Sequence, residues 1–212
     1  MKLYYSHNSG PRVTVAAARH INAPVEFMRA NPTDPAQKAF YEALNPNRRV
    51  PILVEDGKTL WEADAVVCRL CQITGSDFWP LDDLPDLIRW LSWNAWHFGP
   101  AASGLYFEYV VKPTFKGAPA SPAELDGFMK DFRHYARILN AELEGRDWLI
   151  NNKLSYADFR VAFVFPYAEA CGLPLSDFPE LVRLNRQLNT IPAWCDPFAG
   201  LECQSASSHP SG

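Results

Sequence analysis

The sequence has no cysteine before residue 68 and no run of basic residues longer than Arg48-Arg49. It also lacks any apolar stretch near the ~20 residues that a membrane span needs. Twenty Lys and Arg stand against 24 Asp and Glu, a net charge of −4, so no phosphate-tracking surface is expected and nucleic acid is excluded as a partner. No membrane partner is expected either. The opening residues, Met1 to His7, turn polar at once after Leu3-Tyr4-Tyr5 and hold no signal-peptide core, which makes the cytoplasm the expected compartment. Five cysteines form an odd set in a chain of 212 residues, far above disulfide-scaffold size, so most are expected to be reduced and structural. Neither they nor the five histidines fall at zinc-like spacing, and no metal is expected. There is no internal repeat.

Hydrophobic residues make up 48% of the chain and aromatics 13%, enough for a large core and too much for a disordered protein. The first 75 residues alternate between strand and helix patterns. Leu3-Tyr4-Tyr5 is a β-rich run, and Pro11 suits the first turn of a helix that continues to His20. Val25 to Met28 predicts a second strand, and Ala36 to Leu44 a short helix closed by Asn45-Pro46. Val50 to Val54, Asp56-Gly57 and Thr59 to Trp61 form a hairpin signature, because Asp-Gly supplies the positive φ angles of a two-residue turn. A helix from about Ala63 to Thr74 stops at Gly75. The predicted order is β-α-β-α-β-β-α.

Residues 78–85 read as a linker between a domain at 1–77 and an all-helical one at 86–204, with 205–212 as a disordered tail. In the helical part, Leu87, Trp90, Leu91 and Asn94 share a face, and Gly99-Pro100 predicts a break. Ser121-Pro122-Ala123-Glu124 is a capping box ahead of a long amphipathic helix ended by Gly145. Ser155-Tyr156-Ala157-Asp158 opens another helix, which Pro166 is expected to kink. Leu181, Leu184 and Leu188 mark a final helix.

The segment Asn45-Pro46-Asn47-Arg48-Arg49-Val50-Pro51, followed by Trp61-Glu62-Ala63-Asp64-Ala65-Val66, resembles the glutathione-binding core of the cytosolic glutathione transferases. The resemblance covers the whole chain, and the Ser155 to Asp158 box matches the family's helical domain. It implies an α/β thioredoxin-like domain followed by an all-α one, and a bacterial-type protein of a non-cysteine class. It further implies a cis Val50–Pro51 bond that turns the valine backbone towards the cysteinyl part of glutathione. Arg49 falls where the family contacts the glycyl carboxylate, which a guanidinium can do with a forked pair of hydrogen bonds. Glu62 matches the acidic residue near the γ-glutamyl amine. Ala63 stands where the family commonly has Ser or Thr. A helix start still offers N–H groups to an anion, but the missing hydroxyl removes a charge-assisted hydrogen bond of about 1.5–3 kcal/mol.

Glutathione's thiol must ionise to act as a nucleophile, and a hydroxyl donor or a helix N-terminus favours the thiolate. The family places Tyr, Ser or Cys between the first strand and first helix; here the stretch is Ser6-His7-Asn8-Ser9-Gly10-Pro11. Without a cysteine there, mixed-disulfide classes are disfavoured. Ser9, just before the predicted helix start, is the first choice. Ser6 is the second, Asn8 offers an amide, and His7 offers a base. Trp93, Trp96, His97 and Tyr106 are candidates for the wall of an apolar electrophile pocket. Cys68-Arg69-Leu70-Cys71 lies several residues into a helix among apolar neighbours, which favours packing over redox chemistry.

The resemblance implies a homodimeric enzyme of detoxification that conjugates glutathione, its co-substrate, to hydrophobic electrophiles. Two alternatives stand beside it: a transferase-like ligand-binding or interaction protein with little turnover, and a glutathione-dependent peroxidase, dehalogenase or isomerase.

Overall fold

The computed structural model describes residues 1–118 and 120–201. They form two compact units, Pro80–Thr190 and a second made of Met1–Trp79 with Ile191 and the described residues after it.

In the unit that holds the N-terminus, β1 (Lys2–Tyr5), β2 (Glu26–Arg29), β3 (Ile52–Glu55) and β4 (Lys58–Trp61) make a four-stranded sheet in the order β2-β1-β3-β4. β1 pairs parallel with β2 and antiparallel with β3, and β3 pairs antiparallel with β4. Side chains alternate across a strand, and β1 uses both faces. Leu3 and Leu53 join Ala18, Val66 and Leu70 in one core cluster, while Tyr4 and Ile52 join Tyr41 and Ala30 in another. The first cluster is supplied by α1 (Ser9–His20) and α3 (Ala63–Thr74), the second by α2 (Lys38–Leu44). This is the thioredoxin-like arrangement expected from the β-α-β-α-β-β-α pattern. Asp56 and Gly57 both take positive φ in the hairpin turn, and Gly75 ends α3 at φ 65°.

The other unit is helical. α4 (Leu84–Trp93) runs through a π-helical turn at Asn94–Phe98 into α5 (Gly99–Tyr106), then through a second π turn at Phe107–Val111. The break predicted at Gly99-Pro100 is therefore absent. Proline cannot donate to the fourth carbonyl before it and crowds that carbonyl, and widening the preceding turn relieves both faults. Glycine at 99 is required by the same turn, since a Cβ there would overlap the Asn94 carbonyl oxygen. α6 (Pro122–Glu142) starts on the predicted capping box, with both reciprocal bonds formed. α7 (Tyr156–Val161) is shorter than expected: Pro166 lies in a separate 3-10 turn, Phe165–Tyr167, and does not kink a longer helix. A 3-10 start has no need of the missing N–H. α8 (Pro179–Leu188) buries Leu181, Leu184 and Leu188 as predicted.

The helical unit ends at Thr190, not at 204 as the sequence pattern suggested, and its other boundary falls between Trp79 and Pro80. α9 (Pro192–Cys195) belongs to the sheet-bearing unit, where Trp194 is fully buried. Cys203 and the tail at 205–212 lie outside the described residues.

Candidate active site

Strand register brings three distant segments together. Tyr4 pairs with Ile52, and Ile52 pairs with Trp61. One step further along each strand lie Tyr5 at the end of β1 with Ser6 after it, Pro51 and Val50 before β3, and Glu62 after β4. All three segments therefore meet at one end of the sheet. α1 begins there at Ser9 and α3 begins there at Ala63. Each helix start presents N–H groups with a partial positive charge, so this end is suited to anions.

Ser9 is the first residue of α1 and is 8% exposed. Asn8 is the N-cap in extended conformation, its side chain makes no capping hydrogen bond, and its carbonyl accepts from Arg12 N–H at 2.9 Å. The Ser6 hydroxyl is buried without a hydrogen-bond partner among the described residues. His7 is exposed, with its ring stacked at 4.2 Å on Phe198. The four candidates of the loop are thus distinguishable: Ser9 alone combines burial with the helix N-terminus.

On the facing segment, the Val50–Pro51 bond is cis. Pro51 is buried, Val50 half-buried and Arg49 exposed. Asn45, 2% exposed, donates its amide to the Arg49 carbonyl at 2.8 Å and accepts from Asn47 N–H at 3.0 Å. It shapes the loop from inside, a role that sequence reasoning did not assign to it. Glu62 is exposed and sits at φ 74°, ψ 128° as the N-cap of α3. A non-glycine residue in such a region costs on the order of 1–3 kcal/mol, and such strain gathers at functional sites. Ala63 follows as the half-buried first residue of α3.

The four expected pocket residues lie in the helical unit and differ in burial and in ring neighbours. Trp93 stacks on Phe98 at 5.6 Å and meets Tyr135 edge-on at 6.1 Å, and His97 lies 5.5 Å from the same Tyr135. Trp96 is 78% exposed. Tyr106 is buried and packs on Tyr167 at 4.7 Å. Trp93 and His97 share a neighbour; Trp96 and Tyr106 occupy opposite extremes of burial.

Burial pushes the Cys71 thiol up to about 12 and Cys171 up to about 11, which suits packing residues rather than nucleophiles. No cluster of three metal-ligating side chains occurs among the described residues. No helix among them is long and apolar enough to cross a membrane.

Sequence reasoning also missed Arg12. It is 6% exposed in the first turn of α1, its guanidinium lies 4.8 Å over the Trp194 ring, and Nη2 donates to the Trp194 carbonyl. A cation beside the largely apolar run Val13 to Ala18 is the available signal, because a buried charge requires partners.

A thioredoxin-like sheet with two helix starts at one end, followed by a helical unit, defines a class of two-domain α/β-plus-helical proteins. The glutathione S-transferase N-terminal domain family matches residues 1–68, and the glutathione S-transferase C-terminal domain family matches residues 104–192. The chain belongs to the glutathione S-transferase family. It is 23% identical over 210 residues to Glutathione S-transferase D6 of Drosophila melanogaster, across 95% of this chain and 94% of that protein. Its fold is similar to that of glutathione S-transferase III in apo form, with TM-score 0.81 and 22% identity over 95% of this chain and 96% of that one. It is also similar in fold to Ure2p in complex with glutathione, with TM-score 0.79 and 17% identity over 92% and 97% of the two chains.

Proposed function

We propose that the protein is a cytoplasmic, homodimeric glutathione transferase of a non-cysteine class, which ionises the glutathione thiol and directs it at hydrophobic electrophiles. The observation that carries this reading is the strand register, which gathers the Ser6–Ser9 loop, Val50–Pro51 and Glu62–Ala63 at one end of the sheet. Glutathione is the co-substrate. Its γ-glutamyl end is assigned to Glu62 and the N–H groups at the start of α3, its cysteinyl backbone to Val50, and its glycyl carboxylate to Arg49. The Ser9 hydroxyl donates to the thiolate sulfur, and the N-terminus of α1 adds its partial charge. The thiolate then attacks an electrophilic carbon. With an aryl halide, a carbon–sulfur bond forms and halide leaves with the bonding electrons.

Ala63 favours a second reading, a transferase-like binder with little turnover. Without a hydroxyl at that position, binding of the γ-glutamyl carboxylate is expected to weaken by about tenfold or more.

Retention on immobilised glutathione, combined with conjugation of a generic aryl halide, separates the two readings. Retention with turnover supports the transferase; retention without turnover supports the binder. For the transferase, Ser9→Ala is expected to lower kcat/KM on the order of 100-fold, as loss of a donor to a developing anion does elsewhere. Full activity in Ser9→Ala, with loss in Ser6→Ala, Asn8→Ala or His7→Ala, reassigns the activating group.

A further inference from the structure

The chain leaves the helical unit at Thr190 and ends its described course against α1 and β1. Four of its backbone carbonyls are held there by side chains of those two elements. Arg12 donates to the Trp194 carbonyl, and Arg19 Nη1 donates to Pro197 at 3.0 Å and to Ala199 at 2.7 Å. The Tyr5 hydroxyl donates to the Leu201 carbonyl at 3.3 Å. Anchors on both sides of Phe198 fix where its ring can lie. That ring is nearly parallel to two others: His7, at 4.2 Å and 22°, and Tyr5, at 5.6 Å and 15°.

His7 belongs to the loop that precedes Ser9. The Asn8 side chain makes no capping bond, and the Ser6 hydroxyl has no partner among the described residues. The Phe198 ring ties the C-terminal segment to the loop through His7. Arg12 completes the arrangement from behind, since its place in the first turn of α1 couples the buried Trp194 to the helix start.

We propose that residues 191–201 form a clasp that orders the Ser6–Ser9 loop, with Phe198 as a positioning residue that acts through His7. Its effect on turnover rests on the glutathione chemistry proposed above; its effect on the loop does not. The segment lies far from the site in sequence, yet it sets how closely the Ser9 hydroxyl is held at the helix start.

The test compares Phe198→Ala and Phe198→Tyr with the unaltered full chain. Phe198 is half-buried, so its truncation should leave the fold intact. In the absence of glutathione, hydrogen exchange of the Arg12 amide, which is bonded to the Asn8 carbonyl, is expected to quicken about three- to tenfold in Phe198→Ala. Exchange in α6 should be unchanged, and Phe198→Tyr should restore the unaltered rate. With glutathione, KM for glutathione is expected to rise by about the same factor in Phe198→Ala and to return with tyrosine. Unchanged exchange at Arg12, or equal exchange in the alanine and tyrosine variants, overturns the clasp. If the unaltered protein neither binds nor turns over glutathione, the functional proposal falls, and the exchange comparison still decides the clasp.

Discussion

Asp158 offers a prediction whose sign and size both follow from its surroundings. It is fully buried and accepts hydrogen bonds from Leu149 N–H at 3.0 Å, Ser155 N–H at 2.9 Å and the Ser155 hydroxyl at 3.2 Å. Despite these donors, burial pushes its carboxyl up from 3.8 to about 6. Because the folded-state value lies above the unfolded one, the folded protein binds the proton more tightly between the two values. The associated stability is complete below about pH 4 and is lost as the pH rises through 6. Worked through the linkage relation, the loss between pH 5 and pH 7 is on the order of 1 kcal/mol. Asp158→Asn cannot titrate. Urea unfolding of both proteins at fixed concentration should show the stability of the unaltered protein, relative to the variant, falling by that amount from pH 5 to pH 7. A difference constant across this range refutes the reasoning. Asp158→Ala separately leaves two buried N–H groups without acceptors, a cost of about 2–6 kcal/mol.

Other consequences can be checked together. In a Cys203→Ser background, a thiol reagent should label exposed Cys195 first, with Cys71 and Cys171 reacting only as the protein unfolds; rapid modification of Cys71 contradicts the packing assignment. Glu62→Gly should relieve about 1 kcal/mol of backbone strain and raise Tm by a few degrees, while weakening glutathione binding. A lower Tm would show that the Glu62 side chain stabilises the fold by more than its φ costs.

The sheet-bearing unit was legible because its signals are local: Asp56-Gly57 for the hairpin, Gly75 for the end of α3, and the β-rich run Leu3-Tyr4-Tyr5 for β1. The site was legible as three motifs, but their convergence depends on strand register, which no single segment encodes. Two features were not readable. A π turn inserts one residue, which rotates every later side chain by about 100° relative to an ideal helix. Burial after Asn94 therefore departs from the spacing of an ideal helix, and Trp96 is exposed while Tyr106 is buried. The return of Ile191–Leu201 to the first unit rests on Arg12, Arg19 and Tyr5, about 180 or more residues away in sequence. Local patterning assigned those residues to the helical domain for want of any such information.

The central claim is that this end of the sheet binds glutathione and holds its sulfur as thiolate beside Ser9. Titrating the thiolate ultraviolet absorbance of glutathione bound to the full chain tests it most directly. An unperturbed thiol ionises near pH 8.5. The bound thiol is expected to ionise at least about one unit lower, and Ser9→Ala should return it most of the way. A bound thiol that titrates like free glutathione, or one that Ser9→Ala leaves unmoved, contradicts the account.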